Sequence, residues 1–146
     1  ITRITGQSAD YRADTIVIAD PGAETEAILG KPETALEASQ MLARLSGAKH
    51  QVVTAVALAR LTAIGLECDS FSSTADVYFR SLSEDEIRDY VATGEPMDKA
   101  GSYGIQGYGA ALVERIEGDF FSVMGLPVRL VLELLEQAGY RYLFES

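Results

Sequence analysis

Ten consecutive residues, Asp98-Lys99-Ala100-Gly101-Ser102-Tyr103-Gly104-Ile105-Gln106-Gly107, gather an acid, a base, a carboxamide and three glycines. Glycine lets backbone approach a ligand closely and adopt left-handed conformations. Lys99 offers a charge for a phosphate, and Gln106 offers both a donor and an acceptor for a base. The segment reads as part of a ligand site; the competing reading is a tight glycine turn with a solvated lysine. Two shorter islands, Ala13-Asp14-Thr15 and Gly30-Lys31-Pro32, add a carboxylate, a hydroxyl and a second cation.

Secondary elements must bring these islands together. Thr15 to Ala19 is a β-branched run ending in Asp20-Pro21-Gly22, which predicts a buried strand and a turn, with Asp14 at the strand's edge. Ala35, Ala38, Met41, Leu42 and Leu45 fall at helical spacing and Gly47 follows as a C-terminal cap, giving an amphipathic helix of about three turns. Gln51 to Ala59 and Cys68 to Phe79 read as strands able to pair in a long hairpin. Ser83 with Glu86 is a capping-box signature for a helix through Ile87, Tyr90 and Val91, stopped by Gly94-Glu95-Pro96. Ala110 to Ile116 and Phe120 to Met124 suggest two strands about a tight turn at Glu117-Gly118-Asp119. Pro127 opens a last helix through Leu130, Val131, Leu134, Leu135 and Ala138, closed by Gly139. The order implies one α/β domain over residues 1–146 with a mixed, twisted sheet and flanking helices. No strand leads through a G-x-x-x-x-G-K-[ST] or G-x-G-x-x-G turn into a helix, which disfavours a P-loop enzyme or a dinucleotide dehydrogenase.

Composition narrows the chemistry. With 47% apolar residues the chain can bury a normal core, and no apolar run reaches the roughly 20 residues of a membrane span. A soluble cytoplasmic protein without signal peptide is expected. Cys68 stands alone, so no internal disulfide forms, and it is expected to be at least half-buried. The net charge of −10 argues against a nucleic-acid polymer as partner, because such binding needs many phosphate-neutralising cations. A small anion is still compatible, held by one or two lysines and a bridging divalent ion. His50 is the single histidine, which leaves oxygen-ligated magnesium or manganese as the metal to consider.

The three islands, together with Leu45-Ser46-Gly47, His50-Gln51-Val52, Leu82-Ser83, Tyr90-Val91-Ala92-Thr93-Gly94-Glu95-Pro96, Ile116-Glu117-Gly118-Asp119 and Gly125-Leu126-Pro127, resemble the Maf family of nucleoside triphosphate pyrophosphatases. The resemblance runs from about Asp14 to about Leu135. It implies an inosine-triphosphatase-like α/β fold, a divalent cation, a homodimer, and hydrolysis of a nucleoside triphosphate to monophosphate and pyrophosphate. By the same resemblance Asp14 is the base that activates water and the metal-binding carboxylate, a role that suits a carboxylate at a strand end. A turn-forming or helix-capping aspartate is the alternative. Lys31 and Lys99 would neutralise phosphate charge, whereas Asp98 is either part of the site or a brace for its own loop. Asp119 and Glu117 are turn residues first, with a metal role for one of them as the alternative. Thr15 after the aspartate and Gln106 in Ile105-Gln106-Gly107 mark the branch acting on dTTP and UTP. A carboxamide can meet the O4 and N3–H edge of uracil or thymine, or it can tie down its own glycine loop.

The chain departs from that pattern in places. It opens Ile1-Thr2-Arg3-Ile4 without a Ser-x-Ser-Pro-Arg-Arg loop or the glutamate and lysine that accompany it, so an N-terminally incomplete chain is expected. Arg12 stands where the family usually has glycine, and Pro21 to Ile28 lengthens the turn before Gly30. The alternative function is therefore a catalytically impaired nucleotide-binding module, or a dimeric structural domain using Phe120, Phe121, Tyr140, Tyr142 and Phe144 at an interface. Aromatics at such spacing more often finish a core.

Overall fold

The computed structural model describes residues 9–142 and 144; the opening segment, on which the expectation of an incomplete chain bears, lies outside them. Five strands, β1 (Ala9–Ala19), β2 (Ala27–Leu29), β3 (Lys49–Thr62), β4 (Gly65–Phe79) and β5 (Val113–Glu117), form one sheet in the order β2-β1-β3-β4-β5. Among the described residues four α-helices, α1 (Ala35–Leu45), α2 (Glu84–Ala92), α3 (Phe120–Met124) and α4 (Val128–Gln137), flank it. The α/β class is as expected. The sheet is simpler than the mixed one the element order implies: all four pairings among the described residues are antiparallel.

The long hairpin is present, with β3 and β4 in register from Lys49 opposite Tyr78 to Thr62 opposite Gly65. Strand alternation puts His50, Val52, Thr54, Val56 and Leu58 on one buried face. Register extends that face to Val17 of β1 and to Ala75 and Val77 of β4. On α1, Thr34 caps the N-terminus by accepting from the Glu37 amide at 3.1 Å, and Ala38, Met41, Leu42 and Leu45 bury the apolar stripe. The α2 capping box forms as anticipated, with Ser83 and Glu86 satisfying each other's backbone amides. A main core of Val17, Leu42, Leu45, Val52, Val77 and Phe79 closes under α1 and α2, while Val56, Leu58 and Leu134 form a second cluster under α4.

Four expectations need correction. Phe120 to Met124 is helix α3, not a strand, because Asp119 accepts from the Phe121 amide at 3.1 Å and Gly125 ends the turn in a left-handed conformation. These caps override the β preference of its aromatic residues. Asp14 lies in the middle of an eleven-residue strand, since pairing with β3 extends β1 back to Ala9. Within the lengthened turn, Ala27–Leu29 pairs with Val17–Ala19 as a short edge strand. Cys68 is exposed, because its pairing with Ala59 puts it on the face opposite Leu58, which packs against α4. Of the tail and α3 aromatics, Tyr140 finishes the core, whereas Phe120, Phe121, Tyr142 and Phe144 are exposed. No helix among the described residues is long and apolar enough to cross a membrane.

Candidate active site

A cleft of about 280 Å³ opens between β1, the loop before α1, the Asp98–Gln106 loop and the end of α3. Asp14, Thr15, Lys31, Lys99 and Gln106, the five residues singled out from sequence, all line it. They come from segments up to 92 positions apart, from Asp14 to Gln106, so the sheet and its loops alone create the proximity.

The loops are braced against one another. The Gly101 amide donates to the Gly30 carbonyl at 3.0 Å, locking the segment with Lys99 to the segment with Lys31. Gly101 itself has φ of +69°, and a Cβ there would lie 2.8 Å from Val17 Cγ2. Here glycine serves the protein's own packing, not the approach of a ligand. Ser102 follows at φ of +64°, fully buried with its hydroxyl 3.0 Å from the Met41 sulfur.

Glu95 organises the next stretch, and sequence reasoning gave it no role beyond stopping α2. Its Oε1 accepts from the Tyr90 hydroxyl and the Gly109 amide, and its Oε2 accepts from the Tyr108 amide, each at 2.9 Å. The Tyr90 oxygen in turn accepts from the Gly104 amide at 3.1 Å. Burial pushes the Glu95 carboxyl up, but the Gly109 and Tyr108 amides, the Tyr90 hydroxyl and the Lys99 charge outweigh it, and the group is held below its ordinary range. A side chain at Gly107 would collide with this carboxylate. The contact partners lie 13 and 14 residues downstream of Glu95, a separation with no local pattern to betray it. Glu95, and not Gln106, ties down the loop: among the described residues the Gln106 carboxamide has no hydrogen-bond partner, and it is exposed to the cleft.

The charged groups differ in how they are held. Lys99 pairs with Asp98 at 2.7 Å, and this hydrogen bond and charge, with a contribution from Lys31, keep the Asp98 carboxyl below its usual value. Asp98 thus acts on Lys99 more than on the backbone. Lys31 makes no ion pair among the described residues. Asp14 is exposed, and its Oδ1 accepts from the Thr15 amide at 2.9 Å. Alternation turns it to the opposite face from Thr15 and Val17. It reaches the rim of the cleft at an edge of β1 where β2, which pairs only with Val17–Ala19, leaves room. Asp119 caps α3, and Glu117 pairs with Arg115 and Tyr78 on β5 and β4, away from the cleft.

Beneath the cleft, Tyr103 packs edge-on to Phe79 with ring centroids 4.7 Å apart, and its hydroxyl lies 2.8 Å from His50 Nε2. His50 is fully buried, and burial lowers its pKa from 6.5 to about 4. It is a neutral support for Tyr103. Its Nδ1 is buried without a partner. Thr15 Oγ1 lies 2.8 Å from Thr54 Oγ1, and Thr54 donates to the Ser122 carbonyl at 2.7 Å.

The donor set limits how a metal could be bound. No group of three or more His, Cys, Asp or Glu among the described residues converges on a metal-sized site. Asp14 and Asp98 are the carboxylates at the cleft, which suits an ion such as magnesium that keeps waters and shares one or two carboxylates with a ligand's phosphates.

The loops at this end of the sheet present two lysines, two carboxylates and the Gln106 carboxamide to one cleft. The chain belongs to the Maf-like protein family, which matches residues 8–138. It is 47% identical over 128 residues to a dTTP/UTP pyrophosphatase of Geobacillus sp. (strain WCH70), covering 88% of this chain and 64% of that protein. Proteins of the same name in Aromatoleum aromaticum and Moorella thermoacetica are 50% and 51% identical over 139 and 127 residues. Those matches cover 94% and 87% of this chain, and 65% and 62% of the relatives. The chain thus spans less than two thirds of the length of the curated relatives it matches.

Proposed function

We propose that this chain hydrolyses dTTP and UTP to the monophosphate and pyrophosphate, in the cytoplasm and as a homodimer. The supporting observation is the convergence of Asp14, Thr15, Lys31, Lys99 and Gln106 on one cleft in a family whose similar members carry the name dTTP/UTP pyrophosphatase. In this reading Asp14 accepts a proton from the attacking water, and its exposed position at the rim leaves it accessible. Lys31 and Lys99 face the phosphates and stabilise the charge that develops as the phosphoanhydride breaks. Gln106 meets the base edge and Thr15 contributes to its selection. A magnesium or manganese ion, when bound by Asp14 together with phosphate oxygens, would supply further neutralisation of the triphosphate.

The test is incubation of the chain with magnesium or manganese and dTTP, UTP, CTP or GTP, with products separated by chromatography. Selective release of pyrophosphate from dTTP and UTP is expected. Equal cleavage of all four, or none, overturns the reading. The opposite-face orientation of Asp14 favours a second reading, a nucleotide-binding module without turnover. It predicts UTP-dependent thermal stabilisation with no product.

A further inference from the structure

The hydrogen-bond directions around Thr15 can be worked out without a ligand. Thr54 is fully buried, and its hydroxyl contacts the Ser122 carbonyl at 2.7 Å and Thr15 Oγ1 at 2.8 Å. A carbonyl only accepts, so the single Thr54 proton is committed to Ser122. The contact with Thr15 then runs the other way: Thr15 donates and Thr54 accepts. Ser122 cannot easily turn its carbonyl aside, because its own hydroxyl is bound to Asp119 Oδ2 and to Ser73 Oγ, each at 2.7 Å, and Asp119 caps the same short helix. Thr15, half-buried in the cleft wall beside Gly125, therefore turns its proton inward and presents only lone pairs to the cleft.

The geometry points to Thr54 as a positioning residue for base selection: it makes Thr15 an acceptor-only group, matched to the N3–H of uracil or thymine and mismatched to N3 of cytosine, which is itself an acceptor. This deepens the proposed function and rests on it. Gln106 alone cannot make the distinction. Its carboxamide, free of partners among the described residues, offers either donor or acceptor after a half-turn, and so accommodates both pyrimidines. A hydroxyl of fixed polarity cannot.

The experiment compares UTP, CTP and N3-methyl-UTP, by thermal shift and by kcat/KM, on the unmodified chain, Thr54→Val and Thr54→Ser. The unmodified chain is expected to favour UTP over both others, the methylated analogue losing about tenfold or more because its donor is gone. Thr54→Val frees the Thr15 hydroxyl to rotate, and the UTP-to-CTP ratio should fall about tenfold, with opposite changes in the two KM values. Thr54→Ser should restore the ratio. A purely structural role for Thr54 would lower both nucleotides together, and that outcome overturns the inference. So does equal binding of UTP and N3-methyl-UTP by the unmodified chain, a measurement that does not depend on any variant folding. If the unmodified chain shows no UTP preference in binding or turnover, the proposed function falls too; a preference indifferent to N3-methylation and to Thr54→Val removes the inference alone.

Discussion

Asp14 and Glu95 are carboxylates with opposite surroundings, and their substitutions should separate cleanly. Among the described residues Asp14 makes one hydrogen bond, accepting from the Thr15 amide, and its side chain is exposed. Asp14→Asn keeps the shape and that contact, so the melting curve should not move while pyrophosphate release drops by about 10²-fold or more. Unchanged turnover would remove Asp14 as the base. Glu95 has its oxygens occupied by two amides and a hydroxyl. Glu95→Gln leaves an NH2 group facing at least one backbone N–H, and should destabilise the fold by roughly 1–3 kcal/mol and raise the nucleotide KM through a looser Gln106 loop. A KM and a urea midpoint both equal to those of the unmodified chain would show that the brace is dispensable.

Elements deliver these side chains through their ends and edges. Lys31 reaches the cleft because Thr34 starts α1 three residues later, and Lys99 because Gly101 allows the loop to turn tightly against Val17 of β1. Gly101→Ala combines a left-handed φ with a 2.8 Å collision, and should destabilise by about 2–4 kcal/mol, read as a lower urea midpoint. Thr34→Ala removes only a cap, and about 1 kcal/mol should be lost with nucleotide selectivity unaffected. If Gly101→Ala were as mild as Thr34→Ala, the contact between loop and β1 would be softer than its geometry indicates.

For the whole molecule, pH dependence follows from what the core buries. His50 is neutral inside the fold, with a pKa of about 4 against 6.5 in an unfolded chain. Between those values the unfolded state binds a proton that the native state refuses, so stability falls as pH falls from 6.5 toward 4, by roughly 3 kcal/mol in all. The depressed carboxyl of Glu95 acts in the same direction: its stabilisation is present above the ordinary carboxylate range and is lost as pH drops through its lowered folded value. Urea unfolding at pH 7, 5.5 and 4.5 should show this decline. His50→Asn should be less stable at pH 7, with the loss of the Tyr103 bond, yet lose less between pH 6.5 and 4; an equal slope would assign the acid sensitivity elsewhere.

What could be read along the chain is whatever repeats or caps locally. The apolar spacing of α1, the Ser83–Glu86 box and the alternation in β3 and β4 are short-range patterns, and each element appears where it was expected. That Lys31 and Gln106 share a cleft is foreshadowed by islands that pair charged or polar residues with glycines, whereas Ala13-Asp14-Thr15 holds no glycine and stands out through the family resemblance. Phe120 to Met124 is helical against the strand preference of its aromatic residues, because the Asp119 and Gly125 caps that win are just one residue each. Tertiary structure alone decided which face Asp14 takes, that Glu95 braces a loop 13 residues away, and that Thr54 sets the direction of the Thr15 hydrogen bond. Those facts depend on strand register and on contacts across 39 and 68 residues, which no local spacing encodes.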